Sequence, residues 1–244
     1  MKINMKIRIT KSIIPNLLTL GNLFSGFTAI IYIARSEYEI AAIMILIAGI
    51  FDALDGVVAR LIRSTSAIGV ELDSLCDAVS FGVAPAFMLY QVYFNQLNEI
   101  GVFLSSLPAL AGVYRLARFN VQATLEDKTH FKGMPIPAAA LFIISFVIFY
   151  FNNSLIYDYW RIFGIYFVTI IATISMITII KFDNLPRPSW KSIQLHPWNF
   201  IIAFIGLITS FLTQGYFLFP FMLFYVLASY IRYFYSFFKK SYKN

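Results

Sequence analysis

Four aspartates stand within a stretch of the chain that is otherwise apolar enough to lie in lipid: Asp52, Asp55, Asp73 and Asp77. Carboxyl groups are costly inside a membrane, so a group of them indicates a functional site. Carboxylate oxygens are the ligands that Mg²⁺ and Mn²⁺ prefer, and both ions also bind substrate phosphates. A thiolate or imidazole site is nearly excluded, because the chain has one Cys and two His. The pattern therefore predicts a divalent-cation site that binds phosphate groups.

Helical geometry predicts that these carboxylates converge. At about 100° per residue, Asp73 and Asp77 share one face of a helix. One face of the preceding helix carries four residues of interest: Asp52, Asp55, Gly56 and Ala59. Two facing helices would then each contribute two carboxylates to one site.

Small and basic residues accompany the acidic face. Gly56 and Ala59 remove side-chain bulk, so a ligand or another backbone can come close. Arg60 and Arg63 follow, and guanidinium groups can form paired hydrogen bonds with a phosphate. Together these features describe a pyrophosphate site. The alternative is that the aspartates simply pair with Arg60 and Arg63 inside a helical bundle, as ion pairs do in transporters.

The full pattern resembles a known family signature. It runs Asp52-x-x-Asp55-Gly56-x-x-Ala59-Arg60, then eight residues, then Gly69-x-x-x-Asp73-x-x-x-Asp77. This is similar to the signature of the CDP-alcohol phosphatidyltransferases, and every position is filled. The resemblance implies a membrane enzyme that displaces CMP from a CDP-linked lipid by an alcohol, with two divalent cations (Mg²⁺ or Mn²⁺). It also implies a homodimer.

Composition indicates a polytopic membrane protein. Of the 244 residues, 59% are hydrophobic and 13% are charged, and the mean hydropathy is +0.75. Such values lie outside the range of soluble domains. The net charge of +7 is distributed over the predicted loops, so we expect no nucleic-acid partner. The single Cys excludes a disulfide framework.

The hydropathy pattern predicts an all-α bundle of about eight transmembrane helices. The predicted spans are roughly 13–34, 39–61, 75–94, 99–119, 135–151, 160–180, 197–213 and 216–236. We expect one integral domain in residues 1–244, with a basic juxtamembrane segment at 1–12, a catalytic core at 13–180 and additional helices at 181–244.

The charge distribution predicts the orientation of the bundle. Placing both termini in the cytoplasm leaves only Arg35 and Arg161 on the opposite side, of 19 Lys and Arg residues. The aspartates would then lie at the cytoplasmic end of the second and third helices. We recognise no cleavable signal peptide, which fits a bacterial inner membrane.

Two further segments are candidates for binding the CDP-lipid. Asn16 and Thr19, three residues apart in the first span, are predicted to face the nucleotide; the alternative is that they join helices. Ser66 lies just before Gly69 at a helix start, where it would bind phosphate or simply cap the helix.

A second basic region follows in the fourth span and after it. Arg115 and Arg118 share a helix face in the segment RLARFN, with Asn120 just beyond, and Lys132 opens the segment KGMPIP. Guanidinium groups bind either a carboxylate or a lipid phosphate. Both segments resemble the subgroup of the family that makes phosphatidylserine, with Met134 where Leu is expected. The resemblance thus implies CDP-diacylglycerol and L-serine as substrates, and these four residues as the acceptor site.

The resemblance also distributes roles among the motif residues. Asp52, Asp55 and Asp73 would hold the cations, and Gly56, Ala59 and Arg60 would shape and bind the CDP group. Asp77 would remove the serine proton, although spacing alone permits it as a fourth ligand. Three alternatives stay open: glycerol 3-phosphate or inositol as the acceptor, a cation transporter, and a purely structural membrane protein.

Overall fold

The computed structural model describes residues 13–62, 67–125, 133–152, 156–180, 182, 205–206 and 208–241. Within these ranges the secondary structure is helical, in agreement with the predicted all-α class. Thirteen of the fifteen predicted site residues lie on described α-helices. Ser66, Arg63 and Lys132 lie outside the described residues, as do 1–12 and most of the predicted span 197–213.

The main helices are named here in chain order. They are α1 (Ile13–Ala34), α2 (Tyr38–Ile62), α3 (Ala67–Asp77), α4 (Ala84–Val92), α5 (Asn98–Leu125), α6 (Ile136–Phe146), α7 (Asp158–Ile177) and α8 (Leu218–Ser241). A π-helical turn, Ala78–Val83, joins α3 to α4, and another, Val147–Phe151, extends α6.

Six stretches are long and apolar enough to cross a membrane. They are Ile13–Ala34, Tyr38–Ile62, Ile68–Val92, Phe94–Val121, Asp158–Ile177 and Leu218–Ser236, and Ile136–Phe151 is a shorter apolar helix. The third span starts earlier than the predicted residue 75, because the helix continues through both aspartates of its first half. The count of eight stays a prediction.

The core centres on α6. Its residues from Ala138 to Ala140 and from Phe142 to Phe146 are buried, so the helix is apolar on all sides. α6 contacts α7 and α8, and α7 packs against α5. On the other side α1 packs along α2, both helices bury small residues such as Ala29 and Ala48, and α1 also contacts α3. This arrangement makes α1 the helix that contacts both aspartate-bearing helices.

A close approach between α1 and the π-helical turn after Asp77 sets the position of that turn. Gly26 lies directly against Ser80, so a Cβ at residue 26 would collide with Ser80 backbone and side-chain atoms. The Ser80 hydroxyl donates a hydrogen bond of 3.1 Å to the carbonyl of Asn22. Because π-helical turns shift the register of a helix, they are frequent at functional sites. Here the turn is held against α1 immediately after the fourth aspartate.

A second junction joins α5, α6 and α7. The amides of Gly133 and Met134 donate 2.8 Å hydrogen bonds to the carbonyls of Ile180 and Ser175. Gly133 has φ of +86°, and a Cβ there would collide with the Met176 carbonyl, so this position needs glycine. The chain segment that enters α6 is therefore tied by its backbone to the end of α7.

Candidate active site

Three of the predicted carboxylates converge. Asp52 and Asp55 come from α2 and Asp73 from α3, and one oxygen from each lies within 4.8 Å of the others. Asp55 is buried, whereas Asp52 and Asp73 are half-buried. Helical spacing predicted which residues share each face, and the tertiary structure brings the two faces together. The group offers a set of hard oxygen ligands that could hold a divalent cation.

The charge of this group is not balanced by basic side chains. Among the described residues, none of the four aspartates has an ion-pair partner, and Arg60 is exposed. This disagrees with the alternative in which the aspartates pair with Arg60; Arg63 lies outside the described ranges. Carboxylates removed from water need a counter-charge, and one buried oxygen, Asp73 Oδ1, also has no hydrogen-bond partner. The residues present therefore fit a bound cation.

Helix α1 orients one carboxylate on each of the other two helices. The Thr19 hydroxyl lies 2.7 Å from Asp55 Oδ2 and 3.0 Å from the Pro15 carbonyl. One hydroxyl proton serves one acceptor at a time, and the shorter, charged contact is the stronger one. The amide nitrogen of Asn22 donates a 2.9 Å hydrogen bond to Asp77 Oδ1. Thr19 and Asn22 are both buried.

The involvement of Asn22 was missed by the sequence analysis. The signal was present, because Asn22 follows Thr19 by three residues and so continues its helix face inside an apolar span. Asn16, one turn before Thr19, is half-buried at the same end of α1. The prediction that Asn16 and Thr19 face a nucleotide stays a prediction, and Thr19 has a clear further role as a donor to Asp55.

Asp77 is not a member of the group of three, although it lies close enough to interact electrostatically with each of them. It lies at the end of α3, is 7% exposed, and has the Asn22 amide as its hydrogen-bond donor. A carboxylate held by a neutral donor beside a metal-binding group is suited to accept a proton. The geometry is thus compatible with different roles for Asp77 and for the other three.

The small residues of the motif leave open space beside the carboxylates. A Cβ at Gly56 would meet only the Arg60 guanidinium, at 3.5 Å, apart from its own helix backbone and chain neighbours. Ala59 and Gly69 are half-buried on α2 and α3. The Arg60 guanidinium is thus the one side chain beside this face of Gly56 among the described residues, and the binding of a ligand there stays a prediction.

Two of the predicted acceptor residues, Arg115 and Arg118, differ in their hydrogen bonding. Arg115 is 8% exposed, and its Nε has no hydrogen-bond partner among the described residues. Arg118 instead donates to the carbonyls that end α7, at 3.3 Å to Met176, 2.8 Å to Ile177 and 3.2 Å to Thr178. A cation at a helix C-terminus satisfies carbonyls that lack partners and interacts favourably with the helix dipole. Arg118 therefore supports the end of α7.

Asn120 also makes a structural contact. Its amide nitrogen donates a 3.0 Å hydrogen bond to the Ser74 hydroxyl, which lies on α3 between the last two aspartates. This contact ties the end of α5 to α3. The roles predicted for Arg118 and Asn120 in acceptor binding remain predictions, as does the role of Lys132.

Comparison with known proteins identifies a family and several relatives of this chain. A family model described as CDP-alcohol phosphatidyltransferase matches residues 12–180. The chain is 33% identical over 193 residues to the CDP-diacylglycerol--serine O-phosphatidyltransferase of Helicobacter pylori strain 26695, covering 79% of each chain. It is 31% identical over 188 residues to the enzyme of the same name from Bacillus subtilis strain 168, covering 76% of this chain and 98% of that one. The archaetidylserine synthase of Methanothermobacter thermautotrophicus is 35% identical over 173 residues, or 70% of each chain.

Proposed function

This chain belongs to the CDP-alcohol phosphatidyltransferase family, and from that premise we propose that it transfers the phosphatidyl group of CDP-diacylglycerol to the hydroxyl of L-serine. The products are phosphatidylserine and CMP. The observation that carries the proposal is the group of three carboxylates within 4.8 Å, which has no basic partner among the described residues. The relatives named for serine or archaetidylserine products favour serine over glycerol 3-phosphate or inositol.

Asp52, Asp55 and Asp73 would hold the divalent cations, which we propose to be two Mg²⁺ or Mn²⁺ ions. When bound, such ions neutralise the pyrophosphate of the CDP-lipid and stabilise the departing CMP. Thr19 keeps Asp55 in one orientation, in the way that outer hydrogen bonds orient metal ligands. Gly56, Ala59, Arg60, Gly69, Asn16 and Ser66 are proposed to accommodate the CDP group.

Asp77 is proposed to act as the general base. Serine hydroxyl is a weak nucleophile at neutral pH, so a positioned base must take its proton during attack. The serine oxygen forms a bond to the lipid-side phosphorus, the bond to the bridging pyrophosphate oxygen breaks, and CMP leaves. Asn22 holds the Asp77 carboxylate by one oxygen. Asp77 as an additional cation ligand is the alternative assignment.

Arg115 is the proposed partner of the serine carboxylate. It is buried, it carries a donor atom without a partner, and guanidinium matches a carboxylate in shape. Lys132 is proposed to assist it. Arg118 and Asn120 are better supported as residues that hold α5 against α7 and α3, because their side chains already bond to those helices.

We further propose the membrane setting of the enzyme. Residues 1–12 would form a basic juxtamembrane segment, 13–180 the catalytic core and 181–244 additional helices, giving eight spans in one integral domain. Both termini and the aspartate site would face the cytoplasm of a bacterial inner membrane, which the distribution of Lys and Arg supports. The enzyme is proposed to work as a homodimer.

The test is CMP release by the purified protein in detergent. CDP-diacylglycerol is supplied with Mn²⁺ or Mg²⁺, and serine, glycerol 3-phosphate and inositol are offered in parallel, with a chelator control. We expect release that depends on serine and stops with the chelator. Release with another acceptor alone would contradict the serine assignment, and metal uptake into vesicles without turnover would favour a transporter.

A further inference from the structure

Asn22 has one polar atom bonded and the other unpaired. It is completely buried on α1, and its amide nitrogen donates to Asp77 Oδ1 at 2.9 Å. A carboxylate only accepts hydrogen bonds, so the amide atom of Asn22 that faces Asp77 must be the nitrogen. The other atom, Asn22 Oδ1, is buried without any hydrogen-bond partner among the described residues. Buried acceptors are nearly always paired in native proteins, so such an atom marks a place for a missing donor.

Among the described residues, most of the unpaired buried side-chain atoms belong to residues of the proposed active site. Five side-chain atoms of this kind occur in the described ranges, and three belong to Asn22, Asp73 and Arg115. The Asp73 oxygen belongs to the proposed cation group, which leaves an acceptor on Asn22 and a donor on Arg115, so a ligand that satisfies both needs a donor and an acceptor group. A zwitterionic amino acid has both kinds of group.

The position of Asn22 is fixed by contacts that do not involve its amide group. Its backbone carbonyl accepts the Ser80 hydroxyl at 3.1 Å, and Ser80 lies against Gly26 one turn further along α1. Ser80 follows Asp77 in the π-helical turn, so α1 and this turn hold each other. Asn22 and Asp77 thus form a rigid pair, in which the unpaired Oδ1 and the proton-accepting carboxylate are separated only by the planar amide.

We propose that Asn22 Oδ1 accepts a hydrogen bond from the amino group of the acceptor, so that the Asn22–Asp77 pair recognises a vicinal amino alcohol. This inference rests on the proposed function. In serine the hydroxyl and the ammonium are on adjacent carbons, and the hydroxyl is directed at Asp77. The ammonium supplies the remaining donors, and Asn22 Oδ1 is the unpaired acceptor beside Asp77. The Asn22 amide would therefore contact both Asp77, the proposed base, and the ammonium of the acceptor. The ammonium is the group that distinguishes an amino alcohol from an acceptor without nitrogen.

The test compares two acceptors in two variants. Wild type, Asn22→Leu and Asn22→Ala are assayed for CMP release with L-serine and with 3-hydroxypropanoate, which lacks the amino group. We expect kcat/KM for serine to fall about 10- to 100-fold in both variants, as for loss of a hydrogen bond to a charged group. The value for 3-hydroxypropanoate should fall much less, so that the preference for serine collapses. Equal losses for the two acceptors would show that Asn22 only positions Asp77, and would overturn the proposal.

A control variant and an inhibition assay separate loss of the ammonium contact from other effects of the substitutions. Ser25→Ala is the matched control, because Ser25 is a buried polar residue of α1 whose hydroxyl bonds to the Gly21 carbonyl; it should keep the wild-type preference. If 3-hydroxypropanoate supports no turnover even in wild type, inhibition of serine turnover by L-alanine replaces it. Alanine has the ammonium but no hydroxyl, so its inhibition should weaken in Asn22→Leu, and unchanged inhibition would refute the contact.

Failure of this inference and failure of the proposed function give different results. If wild type releases CMP with glycerol 3-phosphate or inositol but not with serine, the proposed acceptor is wrong. If wild type uses serine and the variants lose both acceptors equally, only the role of Asn22 is wrong. Binding of CDP-diacylglycerol by the variants, measured in parallel, must remain at the wild-type level, since a collapse of the fold would remove it.

Discussion

The hydroxyl of Thr19 donates a hydrogen bond of 2.7 Å to Asp55 Oδ2, across the interface between α1 and α2. Thr19 is 3% exposed and Asp55 is 6% exposed, so water does not substitute easily for this contact. The bond orients a carboxylate of the proposed cation site from a helix that carries none of the aspartates. We therefore expect a substitution of Thr19 to weaken cation binding more than it lowers the stability of the fold.

Thr19→Val removes this hydroxyl while keeping the shape of the side chain. Loss of an outer hydrogen bond to a metal ligand typically weakens metal binding about 10- to 100-fold. We expect the Mn²⁺ concentration for half-maximal CMP release to rise within that range. Thr28→Val is the control, because Thr28 is on the same helix and its hydroxyl bonds to the Phe24 carbonyl. An equal shift in both variants would contradict the role of Thr19.

Asp77→Asn tests the proposed base. General-base catalysis contributes about 10²- to 10⁴-fold, so turnover should fall by that factor. Binding of CDP-diacylglycerol, measured with labelled lipid, should remain. Asp73→Asn is the comparison, since Asp73 belongs to the group of three and its loss should weaken Mn²⁺ binding itself. Unchanged turnover in Asp77→Asn would refute the base assignment.

Arg115→Met should weaken binding of the acceptor, serine. The variant keeps an apolar stem but removes the buried guanidinium, whose Nε is unpaired among the described residues. We expect the KM for serine to rise about tenfold or more, as for loss of a hydrogen bond to a charged group. The KM for CDP-diacylglycerol should change little. A rise confined to the CDP-lipid would instead place Arg115 beside the nucleotide.

Arg118→Met should act on stability. Arg118 donates to three carbonyls at the end of α7, and hydrogen bonds from a charged donor contribute about 1.5–3 kcal/mol each. We expect a lower melting temperature in detergent, with the KM for serine close to wild type. The opposite pattern, a stable protein with a raised KM for serine, would return Arg118 to the acceptor site predicted from the sequence.

Gly133→Ala should destabilise the junction of α5, α6 and α7. Residue 133 has φ of +86°, and an added Cβ would meet the Met176 carbonyl, so a loss of about 1 kcal/mol or more is expected. Gly49→Ala is the matched control on α2. Its Cβ would lie 3.8 Å from the Phe81 ring, an ordinary contact, so the melting temperature should be unchanged or higher. Equal melting temperatures in the two variants would contradict a specific requirement for glycine at residue 133.

Local spacing predicted much of the site. The helix period places Asp52 and Asp55 on one face, and it places Asp73 and Asp77 on the next helix. The same reasoning placed Arg115 and Arg118 on a common face and assigned both to the acceptor. That assignment could not distinguish them, because one turn of helix is enough to change the neighbours of a side chain. Arg118 reaches the end of α7, and Arg115 stays buried with an unpaired atom.

The sequence by itself determined the all-α membrane class, the family and the identity of the acidic residues, because these depend on composition, on the helix period and on local spacing. The tertiary structure decided which helix supports which carboxylate. Thr19 and Asn22 contact Asp55 and Asp77 from α1, at separations of 36 and 55 residues along the chain. No local pattern encodes such contacts, since they depend on how α1 packs against α2 and α3. The unpaired amide oxygen of Asn22 likewise becomes visible only when every neighbour in the packed bundle is known.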